Sequence, residues 1–131
     1  MNRIAFIIAV TVITAGFSTA AGAQVDANPK VRWADVEAIF IQRCSTCHGG
    51  QLPASLLRLE SREGLLKGSQ VGPVVKAGDA QSSILMRRIQ GSIRPRMPMS
   101  GPPFLTAEEI NRIGQWIDQG LASNYPPLNK S

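Results

Sequence analysis

The chain of 131 residues has a single histidine, two cysteines and few aromatic side chains. A structural zinc site needs four ligands, and three Cys and His residues leave such a site one ligand short. Only five aromatic residues lie beyond residue 23, so the protein alone offers a thin apolar core for a domain of its size. No alternating apolar pattern predicts a β-strand, which disfavours a thioredoxin-like redox pair. The sequence therefore argues against both common uses of paired cysteines.

The cysteines and the histidine lie together in one motif, Cys44-Ser45-Thr46-Cys47-His48. This C-x-x-C-H spacing is typical of covalent attachment of a c-type haem, because one helical turn separates two thiols that add to the two vinyl groups of a porphyrin. His48 directly follows the second thiol and is placed to supply the proximal imidazole. We therefore predict one haem c, held through Cys44 and Cys47 with His48 as an iron ligand.

The N-terminus has the pattern of a secretory signal peptide. A short basic head at residues 1–3 precedes an apolar stretch at residues 4–17, and Ala21-Gly22-Ala23 is a small-residue cleavage site. The unbroken apolar part, residues 4–16, is shorter than the roughly 18 to 20 residues of a spanning helix, so we predict cleavage rather than a retained anchor. Residues 1–23 are thus predicted to direct the protein to the periplasm, where haem attachment occurs in bacteria, without stable membrane insertion afterwards.

Residues 24–123 are predicted to form one small all-α domain, and residues 124–131, rich in Pro and Asn, a flexible tail. Trp33, Val36 and Phe40 recur at helical spacing before Cys44, which predicts a helix leading into the motif. The sequence from Thr106 forms a capping box, which predicts a second helix that ends at Gly120. Shorter helices are expected at residues 61–68 and 83–89, the second capped by Ser82 or Ser83, giving three to five helices around one haem.

Because His48 is the only histidine, the sixth iron position is a methionine, an unusual ligand such as Lys or Tyr, or open, and methionine is the commonest of these. Met86 lies in an apolar helical stretch and is interpreted as a core residue. Met97 and Met99 lie in a proline-rich segment, residues 95–103, that is unsuited to helix or central strand. In an extended segment the two side chains point to the same side, so spacing alone does not choose between them.

Residues 31–120 resemble a small class I c-type cytochrome and, more narrowly, the planctomycete-type cytochrome c domain. The resemblance rests on Ile39-Phe40, Cys44-x-x-Cys47-His48-Gly49, Gly78-Asp79, Ser83-Ile84-Leu85, Arg96-Met97-Pro98, Leu105-Thr106-x-Glu108-Glu109-Ile110 and Trp116-Ile117-x-x-Gly120. It implies a fold in which the N- and C-terminal helices cross, and electron transfer as the activity. It also implies that the methionine of Arg-Met-Pro, here Met97, is the distal iron ligand. Met99 stands where the family usually has a proline or a small residue.

Four arginines beside the proline-rich segment carry no intervening acid: Arg87, Arg88, Arg94 and Arg96. Such a cluster predicts docking of an acidic redox partner, for example on a dehydrogenase or a terminal oxidase. The alternative is that one or two of the arginines bind haem propionates and the others are solvated. Nucleic-acid binding is not expected, because no stacking aromatics lie near the cluster.

We predict from these features a periplasmic mono-haem cytochrome that carries single electrons, either alone or as the haem subunit of a dehydrogenase complex, and that is not itself an enzyme. The alternative is a haem enzyme or a gas sensor with an open or labile sixth site. A peroxidase needs a distal acid-base residue. The segment from Arg87 to Phe104 contains no His, Asp or Glu.

Overall fold

The computed structural model describes residues 28–124, which contain four α-helices. In chain order these are α1 (Trp33–His48), a short 3-10 turn (Ala54–Leu56), α2 (Arg62–Lys67), α3 (Ile84–Gln90) and α4 (Ala107–Asp118). Across this range there is no β-strand, only an isolated bridge between Ser69 and Gly72. The predicted all-α class with three to five helices is confirmed.

The predicted signal peptide, residues 1–23, and the predicted tail from residue 125 onward lie outside the described residues. Among residues 28–124, no helix combines the length and the apolar character needed to cross a bilayer.

Helices α1 and α4 cross through a cluster of three aromatic rings. Trp33 stacks on Phe40 with 5.4 Å between ring centroids, and Trp116 of α4 lies 5.5 Å from Trp33 and 6.3 Å from Phe40. The side chains of Phe40 and Trp116 are fully buried. Aromatic pairs at these separations contribute about 0.5–1.5 kcal/mol beyond their buried area. The few aromatic residues of the chain are thus concentrated where the terminal helices meet.

The start of α4 is a capping box that also reaches α1. The Thr106 hydroxyl accepts from the Glu109 amide at 3.2 Å, and the Thr106 amide donates to the Glu109 carboxylate at 2.7 Å, as predicted. Arg43 Nε lies 3.2 Å from Glu109 Oε1. Desolvation opposes ionisation of Glu109, but hydrogen bonds from Thr106 and Arg43 outweigh it and lower the pKa of this carboxyl group. An ionised Glu109 therefore links α4 to the residue that precedes Cys44.

Helix α3 packs against α4 at a glycine. A Cβ on Gly114 would lie 3.3 Å from Met86 Cε, so the absence of a side chain there allows the two helices to approach closely. Met86 is only 3% exposed and belongs to the core, in agreement with its interpretation as a core residue. Because its side chain is buried in the core, Met86 is not exposed at the protein surface.

The side-chain cap predicted for α3 is not formed. Ser83 occupies the position before the helix, but its buried hydroxyl donates to the Asp79 carbonyl at 2.8 Å and accepts from the Lys76 amide at 2.9 Å. The Ser83 hydroxyl thus stabilises the preceding turn, because two backbone partners from residues 76–79 satisfy it there. A further hydrogen bond joins this turn to α4: the Gly78 amide donates to the Ile117 carbonyl at 2.8 Å.

Candidate haem-binding site

The C-x-x-C-H motif forms the last turns of α1, so that both thiols lie on one helix, three residues apart. Both cysteines are free thiols; Cys44 is half-buried against the core and Cys47 is exposed. Burial raises the pKa of the Cys44 thiol to about 11, and the neighbouring Arg43 charge offsets only part of that rise. Cys44 is therefore a neutral thiol near pH 7, at the inner edge of the site.

The ring of His48 is oriented by a backbone carbonyl. His48 Nδ1 lies 3.1 Å from the Ala54 carbonyl oxygen. Because a carbonyl can only accept, Nδ1 carries the proton and Nε2 keeps its lone pair, which is the tautomer that binds a metal through Nε2. Hydrogen bonds of this kind orient metal-ligating histidines and raise their basicity.

The 3-10 turn that delivers the Ala54 carbonyl has an unusual backbone. Ser55 and Leu56 have φ angles of 55° and 57°, in the left-handed region that residues other than glycine rarely adopt. Such conformations cost on the order of 1–3 kcal/mol and are concentrated at functional sites. The surrounding structure therefore holds this turn in the one arrangement that presents a carbonyl to His48.

Gly49, which follows the motif, occupies a position with no room for a side chain. A Cβ on Gly49 would lie 2.6 Å from the Ser45 carbonyl oxygen and 2.5 Å from the Glu60 carboxylate. The Glu60 carboxylate also accepts from the Gly50 amide at 3.1 Å, and Arg58 donates to the carbonyls of Gly50 and Gln51. Arg58 and Glu60 thus fix the path of the chain as it leaves His48.

Apolar side chains lie uncovered next to this part of the chain. Leu52, Leu56 and Val71 are 91%, 63% and 85% exposed. They belong to segments that hydrogen bonds connect to His48, since Ala54 accepts from the His48 ring and the Ser55 carbonyl accepts from the Gln70 amide at 2.9 Å. These exposed side chains are available to pack against a large apolar ligand such as a porphyrin.

The two methionines of the proline-rich segment differ in their surroundings. Met97 is half-buried against the core, whereas Met99 is 72% exposed. The extended backbone that would point both side chains to the same side is not formed, because residues 97–100 bend and turn, with the Gly101 amide donating to the Pro98 carbonyl at 3.1 Å. Only Met97 is packed into the domain.

Phe104 connects the two sides of the site. Its ring lies under the Arg96 guanidinium, 3.9 Å from centroid to Cζ, and its carbonyl accepts from Arg43 at 3.1 Å. Arg43 directly precedes Cys44, and Arg96 directly precedes Met97. Phe104 therefore contacts the residue before the first thiol and the residue before the proposed methionine ligand. The sequence patterns did not identify Phe104 as a contact of Arg43 and Arg96, or Ala54 as the partner of His48. Ala54 contributes its backbone carbonyl, which every residue type has.

The donor set fits an iron whose equatorial ligands come from a porphyrin. Within residues 28–124, no group of three or more His, Cys, Asp and Glu side chains is placed to hold a metal ion. A haem iron needs only axial ligands from the protein, and a histidine with a methionine is one of the known pairs. His48 offers a free Nε2, and of the two methionines in the proline-rich segment Met97 is the one that packs against the core.

Comparison with known proteins finds one family match, over part of the chain. Residues 44–101 match the family described as Planctomycete cytochrome C, and this range begins at the first thiol and includes the Arg-Met-Pro segment. No curated protein and no solved structure gives a significant match. The predicted resemblance is confirmed by the family match.

Proposed function

Since residues 44–101 match the family described as Planctomycete cytochrome C, we propose that this protein is a mono-haem electron carrier whose iron is ligated by His48 and Met97. The observation that carries the proposal is the orientation of His48: it lies at the end of the C-x-x-C helix, with Nδ1 bound to the Ala54 carbonyl and Nε2 free. A cytochrome c domain implies a covalent haem c. Cys44 and Cys47 would hold that haem through thioether bonds.

When bound, haem c supplies an iron that alternates between Fe(III) and Fe(II). The residues around it bind, orient and exclude water. Met97 would be the second ligand of the iron, and it lies on a loop whose backbone is fixed to α3, since the Met97 amide donates to the Arg88 carbonyl at 3.0 Å. Methionine opposite histidine raises the potential of a haem relative to stronger donors. No proton-transferring residue is required for this activity.

The distal segment favours electron transfer over catalysis or gas sensing. Those alternatives need a vacant or labile sixth position, and a peroxidase also needs an acid-base residue there. The segment from Arg87 to Phe104 contains no His, Asp or Glu. The packing of Met97 against the core gives that side chain a defined position from which to occupy the sixth site.

The proposal is tested by spectroelectrochemistry of the holoprotein produced with the haem-attachment machinery. We expect a low-spin haem of positive potential whose reduced form does not bind carbon monoxide, because Met97 fills the sixth position. A high-spin haem, or rapid binding of carbon monoxide, would instead indicate an open site and an enzyme or a sensor.

We further propose that the protein works in the periplasm, alone or as the haem subunit of a dehydrogenase complex. The predicted signal peptide at residues 1–23 favours this location. The same compartment is where covalent haem attachment takes place in bacteria, so both features require export.

We propose that Arg87 and Arg94 form the docking surface for an acidic redox partner. Both side chains are exposed, and neither guanidinium has a hydrogen bond or ion pair within the described residues. The other two arginines of the cluster have contacts: Arg88 donates to the Pro95 carbonyl at 3.2 Å and Arg96 stacks on Phe104. Two uncompensated charges therefore lie beside the Met97 loop.

Small redox ions of opposite charge test this surface directly. Replacing Arg87 or Arg94 by glutamine should slow oxidation of the reduced holoprotein by ferricyanide and accelerate oxidation by tris(phenanthroline)cobalt(III), each severalfold at low salt. Both effects should fade above about 0.1 M salt, where the Debye length falls to about 10 Å.

The matched control is Lys30→Gln, which removes one exposed charge at the opposite end of α1. With about 1.5 Å of rise per residue, the first residue of α1, Trp33, lies about 22 Å from His48 along the helix, and Lys30 precedes Trp33. Equal effects of the Lys30 and Arg94 substitutions on the ferricyanide rate would mean that only net charge matters, and the proposed surface would be wrong.

A further inference from the structure

Arg96 carries a buried donor with no partner. Its Nε atom is inaccessible to solvent and makes no hydrogen bond among the described residues. The guanidinium lies over the Phe104 ring, with Cζ 3.9 Å from the ring centroid, and the side-chain stem packs on Gly91, where a Cβ would come within 2.8 Å of Arg96 Cδ. Arg96 is therefore an ordered, half-buried cation rather than a solvated surface arginine.

The described part of the chain supplies no anion to this cation. Its ion pairs are Arg43–Glu109, Arg58–Glu60, Lys76–Asp79 and Arg112–Glu108. No Asp or Glu occurs in the sequence between Asp79 and Glu108. A partly desolvated charge is costly unless it is paired, and the planar fork of an arginine matches the two oxygens of a carboxylate.

The backbone on both sides of Arg96 is fixed by Arg88. The Arg88 side chain donates to the Pro95 carbonyl at 3.2 Å, and the Arg88 carbonyl accepts from the Met97 amide at 3.0 Å. The position of the Arg96 guanidinium is thereby coupled to that of Met97, the next residue. A carboxylate that binds Arg96 would also stabilise the loop that carries Met97.

We propose that Arg96 binds a propionate carboxylate of the haem and thereby holds Met97 in its ligating position. This inference rests on the proposed function, because haem c is the source of the carboxylate. Arg96 is a positioning residue: it acts on the iron through Met97 and does not contact the iron itself.

The affinity of the ferric iron for imidazole measures how firmly Met97 is kept in its ligating position, because imidazole must displace Met97 to bind. Loss of one charge-assisted hydrogen bond corresponds to about a tenfold change in an equilibrium constant, so Arg96→Gln should bind imidazole about tenfold more tightly than the unsubstituted holoprotein. Arg96→Lys keeps the charge but loses the planar fork, and should fall between the two. The matched control is Arg94→Gln, an equal loss of charge on the same loop, which should change imidazole affinity by less than about twofold.

Isotopic labelling identifies the carboxylate. Holoprotein produced with 5-aminolevulinate labelled with carbon-13 at its carboxyl carbon has labelled haem propionates and unlabelled Asp and Glu. The labelled carboxylate bands in infrared spectra should shift in Arg96→Gln and stay unchanged in Arg94→Gln. Tighter imidazole binding with unshifted labelled bands would overturn the pairing, and would mean that Arg96 stabilises the loop by packing or through an unlabelled carboxylate.

Met97→Ala separates failure of this inference from failure of the proposed ligation. If unsubstituted holoprotein binds imidazole as tightly as Met97→Ala does, Met97 is not the ligand and the loop-holding role is also overturned. If Met97→Ala alone binds imidazole tightly while Arg96→Gln behaves like Arg94→Gln, ligation stands and the inference about Arg96 is wrong.

Discussion

Replacement of His48 by alanine is expected to abolish the accumulation of stable haem-loaded protein. The substitution removes the proposed proximal ligand and also the hydrogen bond to Ala54, which connects α1 to the 3-10 turn. Since the chain has a thin aromatic core, bound haem is expected to supply much of the folding free energy. Haem content per protein, measured after export with the attachment machinery, should fall by at least about tenfold, because loss of only the hydrogen-bond partner of a metal-ligating histidine already lowers metal affinity by about that factor.

The control for His48→Ala lies inside the same motif. Thr46 is exposed and occupies a variable position between the thiols, so Thr46→Ala should load haem normally. Protein carrying His48→Ala that accumulates with normal haem content and a low-spin spectrum would show that His48 does not ligate the iron, and the proposed site would be wrong.

The helices that frame the site could be predicted because their signals are local. The stripe of Trp33, Val36 and Phe40 reflects a real buried face of α1, and the pairing of Thr106 with Glu109 is a capping box in the structure. Such patterns depend on neighbouring residues alone, and helical periodicity and capping chemistry are sufficient to identify them.

The parts that position the histidine could not be predicted in this way. The carbonyl of Ala54 reaches His48 because Ser55 and Leu56 adopt left-handed backbone conformations, although neither residue type favours them. Ser83 was predicted as a helix cap, but its hydroxyl bonds to the backbone of the preceding turn, at Lys76 and Asp79, instead. These features depend on the exact backbone path of irregular turns, which helical periodicity and capping patterns do not describe.

The choice between Met97 and Met99 also combines a feature that the sequence predicted with one that it did not. Proline content predicted a loop, but the assumption of an extended backbone left the two methionines equivalent. The bend between them separates a half-buried side chain from one that is 72% exposed. The family resemblance had already favoured Met97, and the packing now supplies an independent physical argument for the same proposal.

Replacement of Met97 by alanine is expected to lower the reduction potential strongly and to open the iron to exogenous ligands. Axial ligands set haem potentials over a range of about 0.8 V, and loss of the thioether removes a donor that favours Fe(II). Reduced Met97→Ala should bind carbon monoxide, which the unsubstituted protein should exclude. Spectroelectrochemical titration with and without carbon monoxide measures both effects on one sample.

Met99→Ala is the matched control, because it removes the same side chain two residues away on the same loop. Its potential should stay close to that of the unsubstituted protein, and its reduced form should not bind carbon monoxide, since Met99 is mostly exposed. The opposite pattern, with an open iron in Met99→Ala and a closed one in Met97→Ala, would assign the ligand to Met99. That result would require the turn at residues 98–101 to rearrange when haem is attached, because Met97 is the one packed against the core.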